Sequence, residues 1–172
     1  GRPMREPASQ SALAPALMRW GATRGLDLGT RVGFDPADAE RDELPVTSRQ
    51  LATMLELASE GDPHIGLALP ELLSYRRYDP GALAARVAPT PLAVLDALKR
   101  FAPLVFPGLR ADVVEGANCA TFVMDVRGAP RGLGNCVDEY LLALALGYCR
   151  RGGTIVNPTR VFLASPRAPG SL

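Results

Sequence analysis

Residues 109–127 read LRADVVEGANCATFVMDVR. Leu109, Ala111 and Val113 alternate with Arg110 and Asp112. Further on, Ala120, Phe122, Met124 and Val126 alternate with Thr121, Val123, Asp125 and Arg127. A period of two sends successive side chains to opposite faces of a strand, so each run has one face for a core. Between the runs, Glu115-Gly116-Ala117-Asn118 supplies turn chemistry. The stretch predicts an antiparallel hairpin.

Upstream of the hairpin the period is helical. From Pro91 to about Leu104, the residues Leu92, Leu95, Leu98, Phe101, Ala102 and Val105 align as a wide apolar stripe. Thr90-Pro91 opens that helix, and Asp62-Pro63 and Asp79-Pro80 repeat the device. A side-chain oxygen takes one orphan amide, and proline at the first helical position has no amide to leave unpaired. Thr47-Ser48-Arg49-Gln50 reads as a capping box. The helix behind it places Leu51, Met54, Leu55 and Ala58 on one face, and Gly61 ends it. Ser11 to Arg24 predicts another helix, and Asp35-Pro36 a turn or short helix.

Downstream, a loop from Gly128 to Gly134 leads into a Leu- and Ala-rich helix over 135–150, apolar enough for burial on more than one side. Gly152-Gly153 stops it, and TRVFLA, residues 159–164, predicts a last strand broken by Ser165-Pro166. The order predicts an α+β fold. A helix-rich N-terminal half packs on a small antiparallel sheet, the hairpin 109–127 plus the strand 159–164, with the long helix 135–150 buried.

The chain has 172 residues, 47% of them hydrophobic, and a formal net charge of +1. That length suits one domain, here over 11–169, after a flexible polar segment 1–10 (GRPMREPASQ). Near-neutral charge argues against holding a phosphate backbone by counterion release, so no direct nucleic-acid binding is expected. The early apolar run Ala12–Met18 is broken by Pro15 and too short for a bilayer. No basic-then-apolar leader is visible, which predicts a cytoplasmic protein with no membrane contact. Cys119, Cys136 and Cys149 are odd in number and lack close spacing, so they read as reduced thiols rather than a disulfide framework or zinc site.

Candidate chemistry is sparse. His64 is the only histidine, so any Ser/His/Asp or Cys/His set must use it. Its place beside the Asp62-Pro63 helix start suits a surface or supporting role better, because a helix N-terminus disfavours imidazolium. No catalytic residue, metal ligand or cofactor is assigned. Cys136 falls in the first turn of its helix, where a thiolate would be stabilised, and this makes it a redox-sensing candidate. Arg127, Arg131, Gly132 and Gly134 stand in the strand–loop–helix junction as a candidate anion-binding loop. Their G-x-x-x-G-x-G spacing matches neither the P-loop nor the dinucleotide fingerprint, and a plain connector is the simpler reading. Ser74-Tyr75-Arg76-Arg77-Tyr78 mixes cations and aromatics and reads as a solvated loop or protein contact. Phe101, Phe106, Phe122, Met124, Tyr140 and Tyr148 lie on the hairpin and the helices expected to face it. Most of such a set fills a core. Some are expected to line an apolar ligand pocket, with the tyrosine hydroxyls orienting what binds.

The run LATMLELASEGDPHIGLALPELL, residues 51–73, resembles the N-terminal effector domain of AraC-type transcription regulators of the ornithine-utilisation and virulence-regulator kind. Its helix, GDPxxGL element (Gly61 to Leu67) and second helix stand in the family's order. TPLAVLDALKRFAPLV (Thr90 to Val105), the hairpin, the helix from Val137 to Tyr148 and RVFLASPRAP follow in that order too. The resemblance covers roughly residues 13–169. It implies a small-molecule-sensing domain that is not an enzyme, controls separate DNA-binding helices absent from these residues, and allows pairing with a second copy. The effector is then expected to be apolar or amphipathic. Ser165 stands where the family has a histidine. In layout, with Val105-Phe106-Pro107-Gly108 before the hairpin, the chain is also similar to haem-NO-binding and vesicle-tethering modules. That likeness implies an alternative, a protein-interaction or acyl-chain-binding module.

Overall fold

The structure, a computed structural model, describes residues 6–73, 80–151 and 156–163. In chain order the elements are β1 (Ser9–Ser11), α1 (Leu13–Ala22), two short 3-10 turns (Thr30–Val32 and Pro36–Glu40), β2 (Leu44–Val46), α2 (Ser48–Ala58) and α3 (Ile65–Leu72). They continue with α4 (Pro80–Val87), α5 (Pro91–Val105), β3 (Leu109–Glu115), β4 (Ala120–Val126) and α6 (Asn135–Arg151). Helices packed with two small antiparallel sheets make an α+β fold. No described helix is long and apolar enough to cross a membrane.

The hairpin forms in the register its alternation requires. Leu109 pairs with Val126, Ala111 with Met124 and Val113 with Phe122, which puts all six on the inner face. Gly116 N–H donates to the Cys119 carbonyl at 2.7 Å and closes the turn. On the outer face, Arg110 grips Asp125 through Nε–Oδ1 at 2.8 Å and Nη2–Oδ2 at 3.0 Å. Entry from α5 is a tight reversal at Phe106-Pro107-Gly108. Gly108 takes a φ of +74°, a left-handed conformation that a side chain disfavours, and its carbonyl accepts from the Arg127 amide at 2.9 Å.

Caps formed where local chemistry dictates them. Thr47 Oγ1 accepts from the Gln50 amide at 3.1 Å, and Gln50 Oε1 accepts from the Thr47 amide at 2.9 Å. Thr90 Oγ1 accepts from the Ala93 amide at 3.2 Å. Asp62 behaves differently. Its Oδ1 accepts from the His64 amide at 3.0 Å, so the chain turns once more, and α3 starts at Ile65 with His64 as its N-cap residue. Asp79 lies outside the described residues.

Three expectations are corrected. Residues 159–163 form no strand, and Val161 and Phe162 are exposed. A strand is made by hydrogen bonds to a neighbour, and alternation alone supplies none. Ala164 lies outside the described residues. A second sheet is present instead: β1 and β2 pair antiparallel, with Ser9 opposite Val46 and Ser11 opposite Leu44. That pairing takes in Ser9 and Gln10 of the polar N-terminal stretch, and Glu6 reaches the Ser48 hydroxyl and, at 3.5 Å, Arg49. Finally, Leu92 leaves the α5 stripe for solvent while Val94 is fully buried. Val94 packs with Ala85 and Ala88 from the α4 side, which turns the first turn of α5 toward that helix.

The main core joins α1, β2, α2, α3, the hairpin base and the first half of α6 around Leu17, Leu51, Met54, Leu55, Leu69, Phe106 and Tyr140. A smaller cluster, Leu95, Leu98, Tyr148 and Cys149, sits against Phe122, Val113 and Leu144. Helix α6 was expected to be buried along its length. Residues 136–137, 139–141 and 148–149 are, residues 142–147 are only half-buried where its middle turns face a cleft between the two clusters, and Arg150 and Arg151 are exposed.

Candidate ligand cleft

The cleft lies between α5, the inner face of the hairpin and α6, with Gly81 of α4 at one side. Helix α5 contributes Leu98, Phe101, Ala102 and Val105, the strands Leu109, Phe122 and Met124, and α6 Leu141, Leu144, Ala145 and Tyr148. It is shallow and partly open, with a cavity volume of about 30 Å³. That is room for about two waters, so a ligand enters only where α5, the hairpin and α6 move apart. Ala102 and Ala145 explain why the space is there, since alanines leave room where leucines would close the helix–sheet gap. Among the described residues, the Tyr148 hydroxyl is the only side-chain polar group in the lining.

A second cleft shares the Leu144 and Tyr148 walls. It opens between the end of α3 and the end of α6, where Glu71 and Arg151 join Pro70, Leu73, Ala143 and Gly147. Arg151 Nη2 donates to Glu71 Oε1 at 2.6 Å across its mouth.

Phe101, Phe122, Met124 and Tyr148 are thus brought together, and Phe106 and Tyr140 are not among the lining residues. Those two lie in the main core at 1% and 0% exposure. Sequence reasoning did not single out Leu98, Ala102, Val105, Leu109, Leu141, Leu144 and Ala145 as lining residues, for they carry no chemical mark. The signal that could have found three of them is the helical spacing that places Leu141, Leu144 and Ala145 on one face with Tyr148.

At the loop before α6, Arg127 and Arg131 point to solvent. Gly132 and Gly134 take positive φ values of 77° and 115°. The Glu56 carboxylate stands directly against Gly134, so this glycine faces a surface carboxylate rather than an open anion site. His64 Nδ1 lies 3.1 Å from Glu139 Oε1, a buried carboxylate, and the pair ties α3 to α6. Among the described residues no group of three or more His, Cys, Asp or Glu side chains is placed to hold a metal.

Cys136 is 1% exposed. Burial, with the nearby Glu56 and Glu139 charges, pushes its thiol up to about 12. The first-turn position does not outweigh desolvation, which corrects the expectation of a stabilised thiolate. Burial also raises the Cys149 thiol, whereas Cys119 is exposed at the hairpin tip. Iodoacetamide at pH 8 should therefore alkylate Cys119 in the native protein and spare Cys136, whose thiolate fraction is then roughly one in ten thousand. Peptide mass spectrometry checks this. Labelling of Cys136 as fast as Cys119 would contradict the burial argument.

No curated protein is significantly similar to this chain. Residues 26–171 match the family model described as the arabinose-binding domain of AraC transcription regulator, N-terminal. That match spans most of the chain, including every element that builds the cleft, and the chain belongs to this family of regulatory ligand-binding domains of AraC-type transcription regulators.

Proposed function

We propose that this domain senses a small apolar or amphipathic effector, held between α5, the hairpin and α6, and passes its presence to a DNA-binding domain of the same regulator. The observation that carries the reading is the apolar cleft itself. A free sugar is poorly served there. Each buried hydroxyl needs a partner, and the described lining side chains include a single hydroxyl. The effector therefore differs from arabinose in chemistry. Within the family, the GDPxxGL element and the element order favour the ornithine-utilisation and virulence-regulator kind. An effector acts by binding one arrangement of the domain more tightly than another. The lining spans α5, the hairpin and α6, so occupancy bears on how these elements sit together. No step here needs a catalytic group, and the domain is read as a receptor without enzymatic activity.

A thermal-shift titration tests this. 1-Octanol should raise Tm in proportion to the logarithm of its excess over Kd, and arabinose at the same concentrations should not. Ala145→Phe, which fills the cleft from α6, should abolish the octanol response. A shift with arabinose that survives Ala145→Phe would sink the reading.

A further inference from the structure

We infer that the cleft has a gate, a two-helix flap made of α4 and residues 91–98 of α5, which swings about Pro103 and parts from α6 to admit the effector. This rests on the cleft being the effector site and names how that site opens. With a cavity of about 30 Å³ between them, the walls have to separate before a molecule of octanol's size enters. The packing decides which wall moves.

Helix α5 runs through three apolar clusters in turn. Val94 packs with Ala85 and Ala88 from the α4 side. Leu95 and Leu98 meet Tyr148 and Cys149 of α6, and Val156 packs against both of these clusters. Ala102 belongs to the main core, as do Phe106 just beyond the helix and Leu109 and Val126 at the hairpin base. Close-packed side chains move together. The first cluster therefore ties the start of α5 to α4, and the last ties its end to the body of the domain. The middle cluster is the seam along which the two come apart.

The pivot lies between seam and body. Pro103 is inside α5, has no N–H to give to the Lys99 carbonyl one turn back, and crowds that carbonyl with its ring. The helix is weakened over the turn 99–103. Phe101 and Ala102 stand in that turn, with Leu98 and Val105 on either side, and all four line the cleft. The soft turn of the helix and the wall of the cleft thus coincide. The pivot end stays with the hairpin, where Lys99 Nζ reaches Asp112 Oδ1 of β3 at 2.9 Å. Pro103 itself is exposed and outside the lining, so it can be replaced without reshaping the cleft.

Two native thiols read the motion. Cys149 is buried in the seam, and Cys136 is buried in the main core. A swing of the flap uncovers the first and leaves the second covered, whereas global unfolding uncovers both.

The test measures iodoacetamide labelling at pH 8 by peptide mass spectrometry, and 1-octanol affinity by isothermal titration calorimetry, on the full chain and on Pro103→Ala and Leu95→Ala variants. Pro103→Ala restores the missing amide. It should slow Cys149 labelling and weaken octanol binding by the same factor, about tenfold, because both draw on one open population. Leu95→Ala trims the seam without touching the lining and should move both readouts the other way. Cys136 labelling should lag Cys149 in all three proteins. Octanol binding with Cys149 labelling indifferent to Pro103→Ala would overturn the gate and leave the cleft as a receptor that opens elsewhere; fraying of α6 from its end gives that result. Cys136 labelled in step with Cys149 would overturn it too, because the domain then opens as a whole. Absence of octanol binding in all three proteins would remove the cleft reading, and the gate with it.

Discussion

Gly66→Ala should destabilise the domain by roughly 1–3 kcal/mol, the usual cost of forcing an extra methyl into a packed interface. Near the start of α3, Gly66 lies where that helix meets α6 without any side chain between them. A Cβ built there would stand 2.6 Å from the Cys136 carbonyl oxygen, 3.1 Å from Glu139 Cβ and 3.2 Å from the Tyr140 amide nitrogen. Two of these are backbone atoms of α6, so no rotamer change relieves the clash and the helices must part. Parting them also stretches the His64–Glu139 contact, which stands at 3.1 Å. Opposing this, alanine is a better helix residue than glycine by up to about 1 kcal/mol, which trims the loss without cancelling it. Urea denaturation with unchanged m-value measures the difference. Gly61→Ala is the control, because nothing lies within 4 Å of its Cβ position and its φ is not positive. It should be neutral or slightly stabilising. If Gly66→Ala matches Gly61→Ala, the close α3–α6 approach is not what holds these helices together.

What the sequence reveals of this fold follows the range of the forces involved. The Thr47 and Thr90 caps act over three residues, and both are legible because the donor and acceptor are neighbours in the chain. The hairpin is legible for a related reason: period-two alternation on both sides of a short turn leaves one register that buries both apolar faces. The β1–β2 pair has no such mark. Each strand is three residues long, one contains Pro45, and what makes them strands is the other strand, more than thirty residues away. The TRVFLA run errs in the opposite direction, carrying the pattern while its described residues, 159–163, pair with no described strand. His64 shows a finer limit. Asp62-Pro63 looks like a cap followed by a first helical residue, yet the Asp62 carboxylate bends the chain through the His64 amide and delays α3. The cleft was legible as a region, the space between the hairpin and its facing helices, but not residue by residue. Aromatic side chains alone do not say which of them seals a core and which walls a hollow.

Phe106 and Phe122 make that distinction measurable. Phe106 follows α5 directly and is 1% exposed in the main core beside Leu109 and Val126, whereas Phe122 is half-buried on the cleft wall. Phe106→Ala should cost about 3–5 kcal/mol, since the ring leaves a cavity that the surrounding helices cannot close. That is a large part of the roughly 5–15 kcal/mol a domain possesses, so the variant should unfold at much lower urea concentration. Where it remains folded, it should still bind 1-octanol, because its ring lines no part of the cleft. Phe122→Ala should do the reverse. Its ring already borders open space, so less packing is lost, while the cleft loses a wall and the octanol-induced thermal shift falls away. Urea curves and octanol titrations on the same two proteins read stability and binding separately. Equal stability losses with equal binding losses would mean that the two rings share one continuous core, and that the space between α5, the hairpin and α6 is not a separate receptor site.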